Sequence, residues 1–294
     1  MSDPSAAPRA RISPAPGDVA RLAAAYPAAL DPGIGPKLQA IASIGFAVLL
    51  AIYAGWQLGL DFGRLTSGIG QLLHFITLMM PPDPGTQLPL YIHALGETLA
   101  IAFLGTLLGA AIAFPFGFLA AKTVIPNIFA HFMVRRVLDT VRGIDKLIWA
   151  LIYVTVVGLG PFAGILAIAT SSIGEFGKLF SEAVEALDRK PVEGVTAAGG
   201  SKLEAVRFGM LPQVLPVLAS QLLYYFESNA RQSTIVGIVG AGGLGLHLAE
   251  QIRVLEWNKV SFLILMMLVM VAVIDFISSR LRFAIIGRNA GTDQ

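Results

Sequence analysis

Three runs of apolar residues, Ile41 to Leu60, His93 to Ala121 and Val260 to Ile277, are each long enough to cross the hydrocarbon core of a bilayer as a helix, and Glu97 is the only charge in the second. In such surroundings every backbone N–H and C=O must be satisfied within its own segment, so runs of this length dictate helices. The composition agrees: 55% hydrophobic and 14% charged residues, with a mean hydropathy of +0.72, exclude an ordinary soluble domain. The fold class is all-α, a polytopic transmembrane helical bundle.

Two further regions complete the pattern. Leu147 to Phe180 is too long for one helix and is broken by Gly158-Leu159-Gly160-Pro161, which predicts a tight hairpin between two spans. The first of these is short, so its helix is expected to start upstream among Asp139, Arg142 and Lys146 at the membrane surface. A last region from about Leu215 to Ile238 is apolar but interrupted by Glu227, Asn229 and Arg231, and brings the total to about six spans. Sorting Lys and Arg by this scheme puts 17 of 21 on one face: four in the N-terminal tail, five from Lys122 to Lys146, five from Lys178 to Arg207 and three from Arg280 to Arg288. The positive-inside bias then places both termini in the cytoplasm of a multi-pass membrane protein.

The organisation that follows is a flexible cytoplasmic tail over residues 1–37, a transmembrane domain over 38–287 and a short C-terminal tail over 288–294. The tail is rich in Pro, Ala and Gly and lacks the apolar stretch that a cleaved signal peptide needs. No cysteine is present and the four histidines are scattered, which removes disulfides, thiolate metal sites and cysteine nucleophiles. The spans hold no convergent Ser/His/Asp, paired-Asp or His-rich set of the kind an intramembrane enzyme needs. A self-contained secondary carrier would show paired internal repeats with discontinuous helices in both halves, and these are not seen.

The longest cytoplasmic connection, residues 182–213, reads as structured. Val192, Val195, Leu203, Val206 and Leu211 alternate with Glu193, Lys202, Glu204 and Arg207, predicting two short amphipathic helices that meet at Gly199-Gly200-Ser201, with Ser201 capping the second. Taken alone, this pattern also suits a helix pair lying on lipid headgroups. Glu193, Gly194, Val195, Gly199, Gly209, Leu211 and Pro212 fall at the spacing of a motif found in this loop in binding-protein-dependent ABC importer permeases, which the chain resembles. Gly194 and Val195 replace the motif's two alanines and Gly209 replaces its isoleucine. Gly158 to Gly164, Gly177 to Ala183 and Ser233 to Gly245 resemble the phosphonate-uptake branch.

The resemblance covers about Ile41 to Gly287 and implies a type I (MetI-like) permease fold and a homodimeric pore. It also implies two ATP-binding subunits docked on the loop and a periplasmic or lipid-anchored phosphonate-binding protein. In that family the first half of the loop, Glu193 to Gly199, would sit in a groove of the ATPase, and Pro212 would stop the second helix before the next span. No G-x-x-x-x-G-K-[ST] stretch occurs, so ATP and Mg belong to the partner; no cofactor is expected here and the chain is not expected to be an enzyme. Phosphate, phosphite or another small oxyanion is the alternative cargo, and nucleic acid is not an expected partner.

Polar residues inside the spans carry the remaining information, because a lone charge in hydrocarbon is strongly disfavoured. Glu227 and Arg231 are four residues apart on one helix face and can neutralise each other as a structural ion pair. The same face can instead line a pore, with Ser228, Asn229, Arg231 and Ser233 offering donors to a passing anion. Glu97, one turn after His93 at the outer end of its span, is expected to contact solvent, a binding protein or a basic group across a dimer. Glu175 and Lys178 are expected to pair at i,i+3. The glycines from Gly237 to Gly245 lack the strand and βαβ context of a nucleotide loop and suit tight turns at an outward-facing mouth.

Overall fold

The computed structural model describes residues 34–59, 62–122 and 128–287, and the chain divides into two units, residues 1–73 and 74–294. Of the expected N-terminal tail, residues 1–33 lie outside the described residues, while Ile34 to Lys37 are already helical; the C-terminal tail at 288–294 lies outside as well. In the first unit α1 (Ile34–Gln57) leaves Leu38, Phe46, Leu49 and Trp56 between 64% and 77% exposed, as suits a helix whose solvent is lipid. Helix α2 (Phe62–Leu78) begins in the first unit and ends in the second. Sequence periodicity did not predict this helix, whose 17 residues fall short of a full span.

The second unit is organised on α3 (Leu88–Leu119), the 32-residue helix predicted as the second span. After it come α4 (Ile128–Gly143), α5 (Lys146–Val157) and α6 (Pro161–Glu185). The hairpin at Gly158 to Pro161 lies where the breaker cluster predicts it. The short span starts at Lys146, one of the three residues expected there: α4 ends at Gly143, the chain breaks at Ile144, and the Asp145 carboxylate accepts from Leu147 N at 2.8 Å and caps α5. Lys146 itself is buried.

Helices α3 and α6 run parallel in close contact. A Cβ added at Gly105 would stand 2.7 Å from Ile168 Cγ2, at Gly109 2.6 Å from Ser172 Cβ, and at Gly117 2.5 Å from Phe180 Cβ. Four-residue steps on both helices keep these contacts in register, with fully buried Ala113 and Phe176 between them. In lipid, where tails are as apolar as the side chains, helices associate through such close packing rather than by expelling water.

The segment after α6 forms α7 (Lys190–Ala197), a single turn α8 (Lys202–Glu204), a π-turn over Ala205–Met210 and then α9 (Leu211–Val236) without interruption. Pro212 does not stop the second helix: it occupies the first turn of α9, where its missing N–H is unneeded. A second π-turn, Gly237–Ala241, ends α9; the chain then reverses into α10 (Gly243–Arg253) and finishes with α11 (Trp257–Gly287). Among the described residues four stretches are long and apolar enough to cross a membrane, namely Leu38–Gln57, Gly85–Leu119, Lys202–Ala241 and Trp257–Arg282. Helix α5 has only 12 residues, and α6 carries Glu175, Lys178, Glu182 and Glu185 along its length.

Candidate coupling and translocation elements

Helix α7, in the segment expected to be cytoplasmic, is fixed to the helix that follows it. Gly209 is buried, and a Cβ there would stand 2.9 Å from Val192 Cα, so the missing side chain is a notch that seats α7 on the π-turn. Gln213 Nε2 donates to Gly209 O at 2.6 Å and to Asp188 O at 3.3 Å, tying both ends of the contact. Between the two helices the backbone turns through Gly199 at φ +87°, a conformation that side-chain-bearing residues rarely adopt. Ser201 and Glu204 then form a reciprocal capping box: Ser201 N donates to Glu204 Oε2 at 2.7 Å and Glu204 N to Ser201 Oγ at 3.4 Å. These bonds from the backbone and hydroxyl of Ser201 hold the Glu204 carboxyl below the ordinary glutamate range.

The motif residues divide between the two sides of this joint. Gly209 is buried and Val195 half-buried beside Gly200, whereas Glu193, Gly194, Gly199 and Pro212 are exposed and Leu211 is intermediate. Leu203 and Phe208 stand 78% and 59% exposed in the same segment. A cavity of about 360 Å³ opens between the end of α6 and the start of α7, lined by Lys122, Asp188, Arg189, Glu193 and Met210 among others.

Within the bundle a buried polar cluster joins four helices. Lys146 Nζ, at the start of α5, lies 3.2 Å from Glu175 Oε1 on α6 and donates to Asn229 Oδ1 on α9 at 2.8 Å. Asn229 Nδ2 donates to Thr106 Oγ1 on α3 at 2.8 Å and to Ser172 Oγ on α6 at 3.1 Å. Thr106 returns its own proton to Ala102 O at 2.6 Å. Each buried donor thereby meets an acceptor, which a cluster surrounded by apolar helix requires.

Several expectations change here. Glu175 pairs with Lys146 instead of Lys178, because the α4–α5 break brings Lys146 inward; Lys178 reaches Asp139 at 3.9 Å. Asn229 is fully buried with its amide committed to the cluster, and buried Ser233 donates to Ala230 O at 2.8 Å, so both face the interior of the unit. Ser228 is half-exposed, and the Arg231 side chain is 49% exposed while its guanidinium lies 3.0 Å from Glu227 Oε1. A second cation, Arg282 on α11, approaches the other Glu227 oxygen at 3.4 Å. Lys146, Thr106 and Ser172 were not singled out from sequence; a lysine directly before an apolar run was the available signal.

Glu97, expected at the outer end of its span, is half-buried and its carboxylate bonds within the chain. Its Oε2 accepts from Gly243 N at 3.0 Å, and Thr98 Oγ1 accepts from Leu244 N at 2.8 Å, so adjacent α3 residues cap the first turn of α10. A carboxylate suits that end of a helix, where N–H groups lack partners and the dipole is positive. The turn before it passes through Gly240 at φ +100°, whose carbonyl accepts from Gly160 N at 2.9 Å and links the outer glycine loop to the α5–α6 hairpin.

Comparison with known proteins gives concordant matches. The family described as "Binding-protein-dependent transport system inner membrane component" matches residues 113–288. The chain is 39% identical over 240 residues to the putative phosphite transport system permease protein HtxC of Stutzerimonas stutzeri, covering 81% of this chain and 85% of that protein. It is 49% identical over 117 residues to the putative cryptic phosphonate transport system permease protein PhnE2 of Escherichia coli (strain K12), covering 40% of this chain and 96% of that protein. Its fold is similar to that of the methionine ABC transporter MetNI in an inward facing conformation, with TM-score 0.60 and 24% identity over 68% of this chain and 97% of that one.

Proposed function

Since the chain belongs to the family of binding-protein-dependent transport system inner-membrane components, we propose that it is the pore-forming permease of an ATP-driven importer whose cargo is a phosphonate. A phosphite importer is the second reading, favoured by the name of the relative that aligns along most of this chain. A separate ATPase binds the cytoplasmic surface formed by Glu193, Gly194 and the exposed end of α7. A binding protein delivers substrate to the outer face, where the Gly237–Gly245 loop lies. A second copy of this chain, or a close relative of it, completes the pore, and both termini are cytoplasmic.

The observation that carries this reading is the seating of Val192 in the Gly209 notch, on the π-turn that leads directly into the long helix α9. A push on α7 is delivered to a rigid element that spans the membrane, whereas a loose loop would absorb it. Ser228 and Arg231 lie on the accessible side of that helix and offer a hydroxyl and a cation to a passing oxyanion. Their contact is weak by design, since a deep well would trap cargo already released by the binding protein.

The test is ATP-dependent uptake in vesicles reconstituted with this chain, its ATPase and its binding protein, with a labelled phosphonate challenged by phosphite and phosphate. Uptake requiring all three components, and loss of ATPase co-purification in Glu193→Arg, are expected. Full transport by this chain alone without ATP would overturn the proposal.

A further inference from the structure

At the cytoplasmic end of the bundle, distinct from the coupling joint, a second cavity of about 350 Å³ lies where the end of α3 meets α4 and α6. Its charged and polar lining is Lys122, His131, Arg135, Arg136, Asp139 and Lys178. The cations exceed the carboxylates available to them. Arg135 is matched by Glu185 at 2.9 Å, and that same carboxylate oxygen also accepts from Lys122 N at 2.9 Å. Arg136 and Lys178 share the single carboxylate of Asp139, each only at 3.9 Å, the outer limit of an ion pair. His131 is only 6% exposed, and both its Nδ1 and Arg135 Nε are buried without a hydrogen-bond partner among the described residues. An unmatched buried guanidinium donor and an unpartnered ring nitrogen beside surplus positive charge describe a site that lacks its counter-ion.

We infer that this cavity binds a phosphoryl oxyanion, either the phosphate of an anionic lipid of the inner leaflet or free phosphate from the cytoplasm. The cations reach it from three elements and therefore from several directions, which matches a tetrahedral group with oxygens on every side better than a planar carboxylate. Phe132, Met133 and Val137 on α4 are 52%, 50% and 59% exposed, an apolar face for lipid tails beside the charged mouth, and the Arg136 guanidinium lies 4.9 Å from the Phe132 ring centroid at the boundary between the two. Lys122 lines both this cavity and the one beside α7, so an occupant here adjoins the coupling joint.

The test uses the full chain purified in neutral detergent. Thermal unfolding is followed while sodium phosphate is added against sodium chloride at matched ionic strength, and separately while phosphatidylglycerol is added against phosphatidylcholine. Stabilisation by phosphatidylglycerol alone identifies a lipid site; stabilisation by phosphate identifies a site for the free ion. Arg136→Gln with Lys178→Gln, both at least partly exposed and loosely paired, is expected to weaken the apparent Kd about tenfold or more. Asp139→Asn, which removes the competing carboxylate, is expected to tighten it. Stabilisation by neither ligand, or ligand responses unchanged in both variants, would overturn the inference.

Discussion

Replacing Glu175 with Gln removes the carboxylate that neutralises Lys146 while keeping the size and shape of the side chain. The pair is buried, with side chains 9% and 17% exposed, and the charged atoms are 3.2 Å apart. At an effective dielectric of about 20 that separation corresponds to a gross attraction of about 5 kcal/mol. Most of this offsets the desolvation of the two ions when both are present, but loss of one partner leaves a buried cation and typically costs about 3–5 kcal/mol. The bond from Lys146 to Asn229 Oδ1 survives, so the expected loss is near the lower end, about 3 kcal/mol. For a chain of this size that corresponds to a fall in the melting midpoint of about 6–12 °C. Circular dichroism of the detergent-solubilised protein at one fixed scan rate measures it. Lys146→Met combined with Glu175→Gln removes both charges and is expected to recover at least half the loss, giving a coupling of about 2 kcal/mol in the double-mutant cycle. A single variant that melts with the parent, or a double variant no more stable than Glu175→Gln, would refute the view that this cluster holds a charge in the bundle by pairing it.

Gly109→Val places a branched side chain where even a Cβ would stand 2.6 Å from Ser172, so the α3–α6 contact must open; a loss of about 3 kcal/mol or more and a lower folded yield in detergent are expected, while Gly96→Ala, with open space around it, leaves both unchanged. Thr98→Val leaves the buried Leu244 N–H without its acceptor and is expected to cost about 1–3 kcal/mol, read as faster amide exchange in the first turn of α10. The folded-state pKa of Glu204 is depressed, so its contribution is fully present above the unfolded glutamate value of 4.5 and is lost as pH falls through the lower folded value. Exchange protection of residues 201–210 should therefore drop on acidification below that value, and Glu204→Gln should abolish the dependence.

The spans were legible because lipid is an unforgiving solvent: a helix in it must be predominantly apolar over some twenty residues, and Ile41 to Leu60, His93 to Ala121 and Val260 to Ile277 could be little else. The breaker residues between Gly158 and Pro161 and the cap at Ser201 were legible for a similar reason, since each acts within a few residues of itself. What could not be read is whatever depends on which helix lies next to which. Glu97 looked like a surface carboxylate because its partner, Gly243 N, is 146 residues away. Asn229 looked like a pore residue because polarity in a span has two explanations, and only the positions of Lys146, Thr106 and Ser172 choose between them. Gly209 read as a departure from a motif until Val192 was found seated against it.

The two π-turns stand at opposite ends of α9, one at Ala205–Met210 and one at Gly237–Ala241. A widened turn is the softest place in a helical rod, so α9 is a stiff member with a compliant joint at each end. The α3–α6 pair, by contrast, has no slack between its backbones and behaves as a fixed frame. In the importer proposed above, a member hinged at both ends against such a frame would rock without stretching, so that movement of the joint beside α7 by the width of a side chain would reach the glycine loop as a change of tilt about the polar cluster between them.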